Sequence, residues 1–303
     1  MIKMSKKRVA SLLIVTGLVL GIVSASLWYT RLYWTKERRF WAAIENGLRT
    51  SSVVKEVITD NPNGESKINT RLTFTPLAYT ETKTETHQRI DTQTSSDVVT
   101  RTLTTPKDAY VRYDSIRSNE KKPDGSSFDF SPINGVWAKR DSSDYSENDL
   151  KDRLSGAYIQ TIPFANLDEA TAQEMVGKLR ATGAYEVDYQ SAAEDHQNNL
   201  TVYNATLNAR AYVSVLQEIY QKIGFGESSN LDPTQYDDSS SLKIQIAIDG
   251  ANIVRKVAYP QSGNNGPSFE SYRDYGAQVV VNPATKSAIN FSELQNRLTK
   301  LQK

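Results

Sequence analysis

Apolar and polar residues follow three different patterns along the chain, and the first is a continuous apolar run. Residues 9–29 carry no charged side chain over 21 positions. A helix needs about 20 apolar residues to cross the hydrocarbon core of a bilayer. The run therefore predicts a single-pass N-terminal transmembrane helix after a short cytoplasmic tail, residues 1–8. Aromatic rings favour the headgroup layer, and the predicted membrane-interface residues are Trp28, Tyr29, Tyr33 and Trp34.

The same run permits a second interpretation, a cleaved signal peptide. Val23, Ser24 and Ala25 place small residues where a signal peptidase cuts. However, the apolar stretch continues through Leu27 and is longer than the usual signal h-region of about 7 to 15 residues. We therefore favour an uncleaved signal anchor and keep cleavage after Ala25 as the alternative. Lys and Arg flank the run on both sides, so positive charge alone does not fix its orientation.

A helical period follows the apolar run. Within residues 36–49, one face carries the apolar side chains and the opposite face carries the charges. The apolar face consists of Phe40, Trp41, Ile44 and Leu48. This spacing predicts an amphipathic helix in a juxtamembrane segment, residues 30–50, which leads from the bilayer into a domain formed by residues 51–303.

A two-residue period dominates the first part of that domain. Residues 51–113 are rich in Thr and β-branched residues, which favour strands, and residues 61–64 and 123–125 contain the Asn, Pro and Gly that tight turns require. The clearest alternation comes later, at Leu242, Ile244, Ile246 and Ile248. We predict antiparallel strands, and further ones are expected at 135–139, 184–189, 200–207, 253–259, 269–275 and 278–281.

Helical spacing recurs three times between and after these strands. Asn166 is the predicted cap of a helix in which Ala172, Met175, Val176 and Leu179 share a face, with Glu169 completing a capping box. A second helix, ended by Gly224, carries the stripe Tyr212, Val215, Leu216, Ile219 and Ile223. The last helix carries Phe291, Leu294, Leu298 and Leu301. Strands, including one predicted over residues 135–139, mixed with a few helices indicate an α+β fold.

Composition narrows the chemistry. The chain has no cysteine, which excludes a thiolate nucleophile, a disulfide and a cysteine-ligated metal. Of its 36 Lys and Arg residues, 4 precede the apolar run and all 35 acids follow it, so the downstream charge is 32 − 35 = −3. A domain with this charge is not expected to bind nucleic acid.

Catalytic and metal-binding motifs are weak or absent from the sequence. His87 and His196 are the only histidines, they lack the spacing of a zinc site, and we expect both at the surface. The Ser-x-x-Lys spacing occurs at 52–55, 118–121 and 240–243 without a companion motif. An acidic cluster at 141–152 lacks the ligand order of a calcium loop, so a solvated helix at 146–154 is expected. We predict no catalytic residue, no metal site and no cofactor.

The aromatic residues permit two interpretations. They form a filled core, which is the commoner arrangement, or they line an apolar cavity between sheet and helices. The candidate residues for a ligand cavity are Phe74, Tyr110, Trp137, Phe164, Met175, Tyr212 and Leu216.

The order of elements resembles the lipoprotein-carrier superfamily, which includes the periplasmic carrier of outer-membrane lipoproteins and the mycobacterial lipid-binding lipoproteins. The resemblance rests on patterning: an export segment, the amphipathic helix, Thr-rich strands, Trp137 in a strand, and the sequences FANL at 164–167, IQIAIDG at 244–250, IVRKV at 253–257, YRDYG at 272–276 and VVVNP at 279–283. It implies a curved antiparallel sheet, a half-barrel, that wraps helices and leaves room for acyl chains. The chain departs from the mycobacterial pattern because it lacks the lipobox cysteine.

The resemblance leads to one favoured hypothesis and two alternatives. The favoured one is a non-enzymatic protein of the bacterial cell envelope, anchored in the cell membrane with its C-terminal domain outside the cytoplasm, that binds a lipid or another hydrophobic ligand. The first alternative is a structural or adaptor protein with a filled core and envelope proteins as partners. The second is a membrane-anchored hydrolase, which needs convergent carboxylates or an activated serine.

Overall fold

A computed structural model describes most of the domain. The described residues are 19, 21–22, 24–25, 27, 35–61, 63–75, 78–90, 92–140, 157, 160–224, 231–237, 239–260, 268–277 and 287–301. Most of the predicted transmembrane segment, its four interface aromatics, the acidic cluster at 141–152 with its helix, and the predicted strand at 278–281 lie outside them. Among the residues that are described, no helix combines the length and apolar character needed to cross a membrane.

One sheet of twelve strands forms the framework of the domain. The strands are β1 (Ser52–Asn61), β2 (Gly64–Thr73), β3 (Tyr79–Arg89), β4 (Ser95–Thr104), β5 (Ala109–Ser118), β6 (Trp137–Lys139), β7 (Tyr185–Asp195), β8 (Leu200–Asn208), β9 (Ser241–Asp249), β10 (Val254–Tyr259), β11 (Ser268–Arg273) and β12 (Ile289–Asn290). Their spatial order is β12-β6-β5-β4-β3-β2-β1-β11-β10-β9-β8-β7. All neighbours pair antiparallel except β12 and β6. The predicted α+β class with an antiparallel sheet is confirmed.

Within the described ranges from residue 35 onward, four longer α-helices accompany the sheet. The described part of α1 covers residues 35–49, and it is followed by α2 (Glu169–Ala181), α3 (Ala209–Lys222) and α4 (Phe291–Leu301). A short 3-10 helix lies at Pro233–Gln235. Each helix coincides with a segment whose apolar residues recur with helical spacing in the sequence, because that spacing places them on one face.

The main core joins α1, α2 and α3 to one half of the sheet. In spatial order, this half consists of β2, β1, β11, β10, β9, β8 and β7. Phe40 and Ile44 of α1 and Met175 of α2 are completely buried, as the helical spacing predicts. The ring of Phe40 packs edge-on against the rings of Tyr185 and Tyr203. Helix α1 is therefore an integral part of the domain core and not only a connection to the predicted membrane segment.

A separate small cluster, here called the α4 cluster, covers the other end of the sheet. Its buried members are Ile133, Ala138 and Leu294. The partly buried residues packed against them include Val111, Tyr113 and Ile116 of β5 and Phe291, Leu298 and Leu301 of α4. Thus α4 packs on β5 and β6, far along the sheet from the main core.

The cap of helix α2 differs from the sequence prediction. Asp168, not Asn166, is the N-cap, and its side chain accepts a hydrogen bond from the backbone N–H of Thr171. Asn166 has a left-handed backbone conformation, with φ 52°. Both residue types favour caps, so the sequence contained two candidates two positions apart, and the helix begins at the second.

The outward face of β1 to β5 carries ion pairs. Arg101 contacts both Glu81 and Asp114, and Lys67 Nζ lies 3.0 Å from Glu56 Oε2. A shallow groove of about 280 Å³ runs between these side chains. Successive residues of a strand point to opposite faces. The residues of β1 to β4 that alternate with these charged residues therefore lie on the inward face.

Candidate functional site on the inward face of the sheet

The inward face is continuous from the main core to the α4 cluster. Leu72 of β2 belongs to the main core, and the strand register places Thr80 and Thr104 beside it in turn. The next inward-facing residue of β4 is Thr102, two residues before Thr104. Thr102 pairs with Val111 of β5, which packs in the α4 cluster. Both clusters therefore lie on the same side of the sheet, and β3 and β4 bridge the space between them.

The residues between the two clusters form a surface that we call the inner strip. One row of it crosses four strands, from Val57 to Ile68, Thr84 and Thr100. Neighbouring positions add further threonines and one valine, so that the whole strip comprises Val57, Ile68, Thr82, Thr84, Thr86, Val98, Thr100 and Thr102. All eight residues are partly exposed. Its surface is formed largely by methyl groups, with hydroxyl groups between them.

The aliphatic residues of the inner strip have a distinctive environment. Val57, Ile68 and Val98 point inward and are partly exposed, yet they belong to none of the three hydrophobic clusters formed by the described residues. Inward-facing aliphatic side chains normally pack against a covering element, since leaving them in water costs hydrophobic free energy. Part of the aliphatic surface of these three residues is therefore accessible to water in the described structure.

A polar network adjoins the strip on the side of the main core. Lys55 is the inward-facing neighbour of Thr70, which in turn contacts Thr82 through their hydroxyl oxygens, 3.2 Å apart. Lys55 Nζ donates to Gln160 Oε1 at 2.6 Å and lies 3.3 Å from Glu270 Oε1. The hydroxyl of Tyr272 donates to the other oxygen of Glu270 at 2.6 Å. The network thus presents a compensated ion pair, an amide and a phenol at one end of an apolar surface.

Tyrosine hydroxyls extend this network into the main core. The Tyr212 hydroxyl donates to the backbone carbonyl of Gln160, the Tyr185 hydroxyl donates to that of Thr161, and the Thr161 and Tyr259 hydroxyls lie 2.6 Å apart. Burial raises the pKa of Tyr212, Tyr185 and Tyr259 above the usual phenol value. These phenols therefore stay neutral at physiological pH, and those of Tyr212 and Tyr185 act as hydrogen-bond donors.

The pKa of Tyr272 is also raised, first because its phenol is buried and second because the negative charge of Glu270 disfavours a phenolate beside it. Tyr272 consequently keeps its proton, and its hydroxyl remains available to the Glu270 carboxylate. The arrangement can orient a polar group, because both its donors and its acceptors are held in place by neighbours.

The structure separates the predicted cavity residues into two groups. Phe164, Met175, Tyr212 and Leu216 are buried together in the main core, and Phe74 packs against it. Tyr110 lies in a second small cluster with Tyr79 and Leu103, and Trp137 packs against that cluster. Two residues of the first group contact the polar network, Tyr212 through Gln160 and Phe164 through the ring of Tyr272, whereas Tyr110 and Trp137 lie elsewhere.

Neither Lys55 nor Glu270 is among the residues that the sequence predicts for a ligand site. A signal was nevertheless present, because Lys55 stands between Val53 and Val57 in the alternating pattern of a strand, at a position expected to face inward. Nothing in the sequence indicates that Glu270 is its partner, since the two residues are 215 positions apart.

The remaining predicted features lie away from this site. His87 and His196 are exposed, as expected, and His87 Nδ1 lies 2.6 Å from Asp97 Oδ1 on the outward face. Within the described ranges, no group of three or more His, Asp or Glu side chains could hold a metal ion. Ser52 donates its hydroxyl hydrogen bond to the backbone of Ala277, so it does not pair with Lys55.

No known family model matches the chain, and no curated protein matches it either. Among solved structures, the chain is similar to LprF from Mycobacterium bovis, with 12% identity, a TM-score of 0.35, and coverage of 82% of this chain and 95% of LprF. It is also similar to the lipoprotein LppX from Mycobacterium tuberculosis, with 10% identity, the same TM-score, and coverage of 82% and 98%. At this TM-score the likeness implies nothing about ligand, anchoring or activity.

Proposed function

We propose that the chain is a membrane-anchored, extracytoplasmic protein that binds a lipid or another hydrophobic ligand between its curved sheet and its helices, without catalysing a reaction. The observation that supports this proposal is the inner strip, where Val57, Ile68 and Val98 face inward without joining a hydrophobic cluster of described residues. Covering these side chains with an apolar ligand would recover the hydrophobic free energy that their exposure costs.

The dimensions of the strip suit an extended apolar chain. Its central row crosses four strands, and neighbouring strands lie about 4.8 Å apart, so the row spans roughly 14 Å. Each buried methylene contributes about 0.8 kcal/mol. An acyl chain of eight buried methylenes would therefore gain about 6 kcal/mol before the cost of ordering it.

The polar network gives such a ligand a direction. An amphiphile whose apolar part lies along the strip would bring its polar end to Lys55, Glu270 and Tyr272. These groups already satisfy one another, so the network can accept a polar group without leaving an isolated buried charge.

The helical part of the main core is a less suitable place for the ligand. Phe164, Met175 and Leu216 have no surface accessible to water in this structure. A ligand at that position would have to separate side chains that are packed at the density of a protein interior. Binding along the strip requires no such separation.

The test is native mass spectrometry of the full-length chain after gentle detergent extraction from the membranes of its bacterial expression host. Thr84→Trp fills the centre of the strip, and Glu85→Trp places the same side chain on the outward face, one residue further along β3. We expect the unchanged chain and the Glu85→Trp variant to carry bound lipid, and Thr84→Trp to lose it. Thr100→Trp, from the facing position of β4, serves as a second blocking variant.

The outcomes separate the alternatives. A bare unchanged chain would contradict lipid binding and favour the adaptor interpretation. Equal lipid retention in all four proteins would contradict the inner strip as the binding site. Far-ultraviolet circular dichroism of each variant shows whether the sheet is retained. The mass spectra also give the mass of the whole chain, which shows whether its N-terminal segment is retained. The mass of the uncleaved chain supports the anchor, and the mass of a chain that begins at Ser26 would contradict it.

A further inference from the structure

A second surface lies at the start of the described part of α1, away from the inner strip. It is an open groove of about 710 Å³ lined by Thr35, Arg38, Arg39, Ala42 and Asn252. The first four residues recur with the helical spacing i, i+3, i+4 and i+7, which places them on one side of α1. This side is distinct from the face that carries Phe40 and Ile44 into the core.

The two arginines of this groove lack the partners that cations on the sheet have. On the outward face, Arg71, Arg101 and Arg112 each contact a carboxylate. In the part of the chain that the structure describes, neither Arg38 nor Arg39 has a carboxylate oxygen within 4.0 Å of its guanidinium nitrogens. A guanidinium offers five N–H donors in a fixed plane, which suits the oxygens of a phosphate. The groove thus presents two positive charges without compensation.

The groove is held in a defined geometry. Arg39 Nη1 donates to the hydroxyl of buried Thr201 at 2.8 Å, which leaves its other N–H groups for a ligand. On the far wall, the side-chain amide of Asn46 donates to the backbone carbonyl of Asn252 at 2.8 Å. Both walls are therefore positioned before any ligand arrives, and less conformational entropy is lost on binding.

The first turns of α1 are also fixed to the sheet. Lys36 Nζ donates to the backbone carbonyl of Ala192 at 2.8 Å, and the hydroxyl of Tyr203 donates to the backbone carbonyl of Lys36 at 3.0 Å. Glu37 forms an ion pair with Arg180 of α2. The described part of α1 is thus attached to β7, β8 and α2, so the groove has a fixed place in the domain.

The position of the groove along the sequence relates it to the membrane surface. Arg39 follows the predicted interface residue Trp34 by five positions, and an α-helix rises about 1.5 Å per residue, which gives roughly 8 Å. The headgroup layer on each side of a bilayer is about 5–8 Å thick. A guanidinium on a long side chain at this distance reaches the depth of the phosphates.

We propose that Arg38 and Arg39 bind the phosphate of an anionic phospholipid in the membrane that anchors the chain. This inference rests on the anchor of the proposed function and adds a second lipid contact outside the inner strip. Binding there would set the orientation of the domain on the membrane, since α1 carries Arg38 and Arg39 on one side and the core residues Phe40 and Ile44 on another.

The test uses the full-length chain in nanodiscs that contain equal amounts of phosphatidylglycerol and phosphatidylcholine. Native mass spectrometry counts the lipids of each type that stay bound as the nanodisc is removed. The variant R38Q/R39Q removes both charges of the groove. The control R89Q/R117Q removes two charges from exposed arginines at the C-terminal ends of β3 and β5, and therefore changes the net charge equally.

We expect the unchanged chain to retain phosphatidylglycerol in preference to phosphatidylcholine, and the control to do the same. R38Q/R39Q should reduce that preference by about thirtyfold, because each of the two basic residues near an anionic surface contributes about 1 kcal/mol and 1.4 kcal/mol corresponds to a factor of about ten. No preference in the unchanged chain, or an equal preference in R38Q/R39Q, would overturn the inference.

The two proposed lipid contacts fail in different ways. Thr84→Trp should remove lipid from the inner strip and leave the preference for phosphatidylglycerol unchanged, whereas R38Q/R39Q should do the reverse. A chain that does not enter the nanodisc would contradict the anchor, and with it the headgroup site. A chain that enters the nanodisc without preferring an anionic lipid would contradict the headgroup site alone.

Discussion

Lys55 of β1 and Glu270 of β11 form an ion pair on the inward face of the sheet, 3.3 Å apart, with only 16% of each side chain exposed. Removing two charges from water costs several kcal/mol for each ion, and apolar residues of similar volume often give equal or greater stability. Stability alone therefore does not explain a charged pair beside an apolar strip, because apolar side chains at these positions would stabilise the fold as well or better. Its position agrees with a role in holding the polar end of a ligand.

The first prediction concerns this pair. We expect Lys55→Met to lower the free energy of unfolding by about 2–4 kcal/mol, because Glu270 would keep its charge without its partner. Lys55→Met/Glu270→Gln should recover much of that loss. Urea denaturation of the two variants measures the difference. As a control, Lys83→Met removes one partner of the exposed ion pair with Glu85 and should cost less than about 1 kcal/mol. Equal losses in Lys55→Met and Lys83→Met would contradict this account.

The second prediction concerns pH and Asp114 on the outward face. Partial burial of this carboxyl opposes its ionisation, but hydrogen bonds from Arg112 and Arg101 outweigh that effect and hold its pKa below the usual 3.8. A carboxyl whose pKa is lowered by folding stabilises the folded state above its ordinary pKa. That contribution is lost as the pH falls through the lowered pKa.

We therefore expect Asp114→Asn to destabilise the domain at pH 7, by about 1–3 kcal/mol, because two part-buried arginines lose a charged partner. The difference between variant and unchanged chain should shrink below pH 4. Unfolding curves at a series of pH values measure this. Asp97→Asn, at an exposed position of the same face, should change stability by no more than about 0.5 kcal/mol. A difference for Asp114→Asn that persists unchanged to pH 2 would argue against the ion pairs as its source.

The third prediction tests the main core. Leu216 of α3 is completely buried, so Leu216→Ala should lower stability by about 2–5 kcal/mol through lost burial and an internal cavity. Leu242, at the start of β9, leaves 38% of its surface exposed, and Leu242→Ala should cost clearly less. Thermal and urea denaturation of both variants provide the comparison. Similar losses at the two positions would show that the α3 stripe does not pack as described.

The fourth prediction tests the turn between β1 and β2. A Cβ added to Gly64, the first residue of β2, would lie 1.9 Å from the backbone oxygen of His87 in β3. Gly64→Ala must therefore displace β2 or β3. We expect a loss of more than about 2 kcal/mol, at the upper end of what single substitutions cost. Hydrogen exchange should show faster opening of the amides at the β1–β2 turn and the end of β3.

Gly125 provides the control for that experiment. It has a left-handed conformation, with φ 83°, and nothing lies within 4 Å of the place that a Cβ would take. Gly125→Ala should therefore cost only the strain of that conformation, about 1–2 kcal/mol, and should leave the exchange of β2 and β3 amides unchanged. Faster exchange in β2 for Gly125→Ala would contradict this assignment of local strain.

Local periodicity predicted a large part of the fold. The helical spacing of Phe40, Ile44 and Leu48 identified the buried face of α1, and the alternation of Ile244, Ile246 and Ile248 identified the buried face of β9. These predictions are confirmed because a single element must bury its apolar side, whatever element covers it. The cap of α2 was predicted two residues too early, since Asn166 and Asp168 have similar capping chemistry.

The candidate site could not be predicted in the same way. Phe164, Met175, Tyr212 and Leu216 were identified from their types and do lie together, but Tyr110 and Trp137, chosen on the same grounds, pack elsewhere. Residue type indicates that a side chain is buried and does not indicate with which partners. The groove that contains Arg38 and Arg39 could not be predicted, because basic residues beside a predicted membrane segment are common in sequences. Only the structure shows which of these residues form ion pairs with described carboxylates.

The sequence by itself therefore determined which segments form strands and helices, which side of each is apolar, and that the apolar run at 9–29 predicts an anchor. The tertiary structure decided the neighbours: that Val57, Ile68 and Val98 lie between two separate clusters, and that Lys55 meets Glu270. The reason is physical. Periodicity is a property of a few consecutive residues, whereas the twelve-strand order and register bring together residues more than 200 positions apart, and no local pattern encodes that pairing.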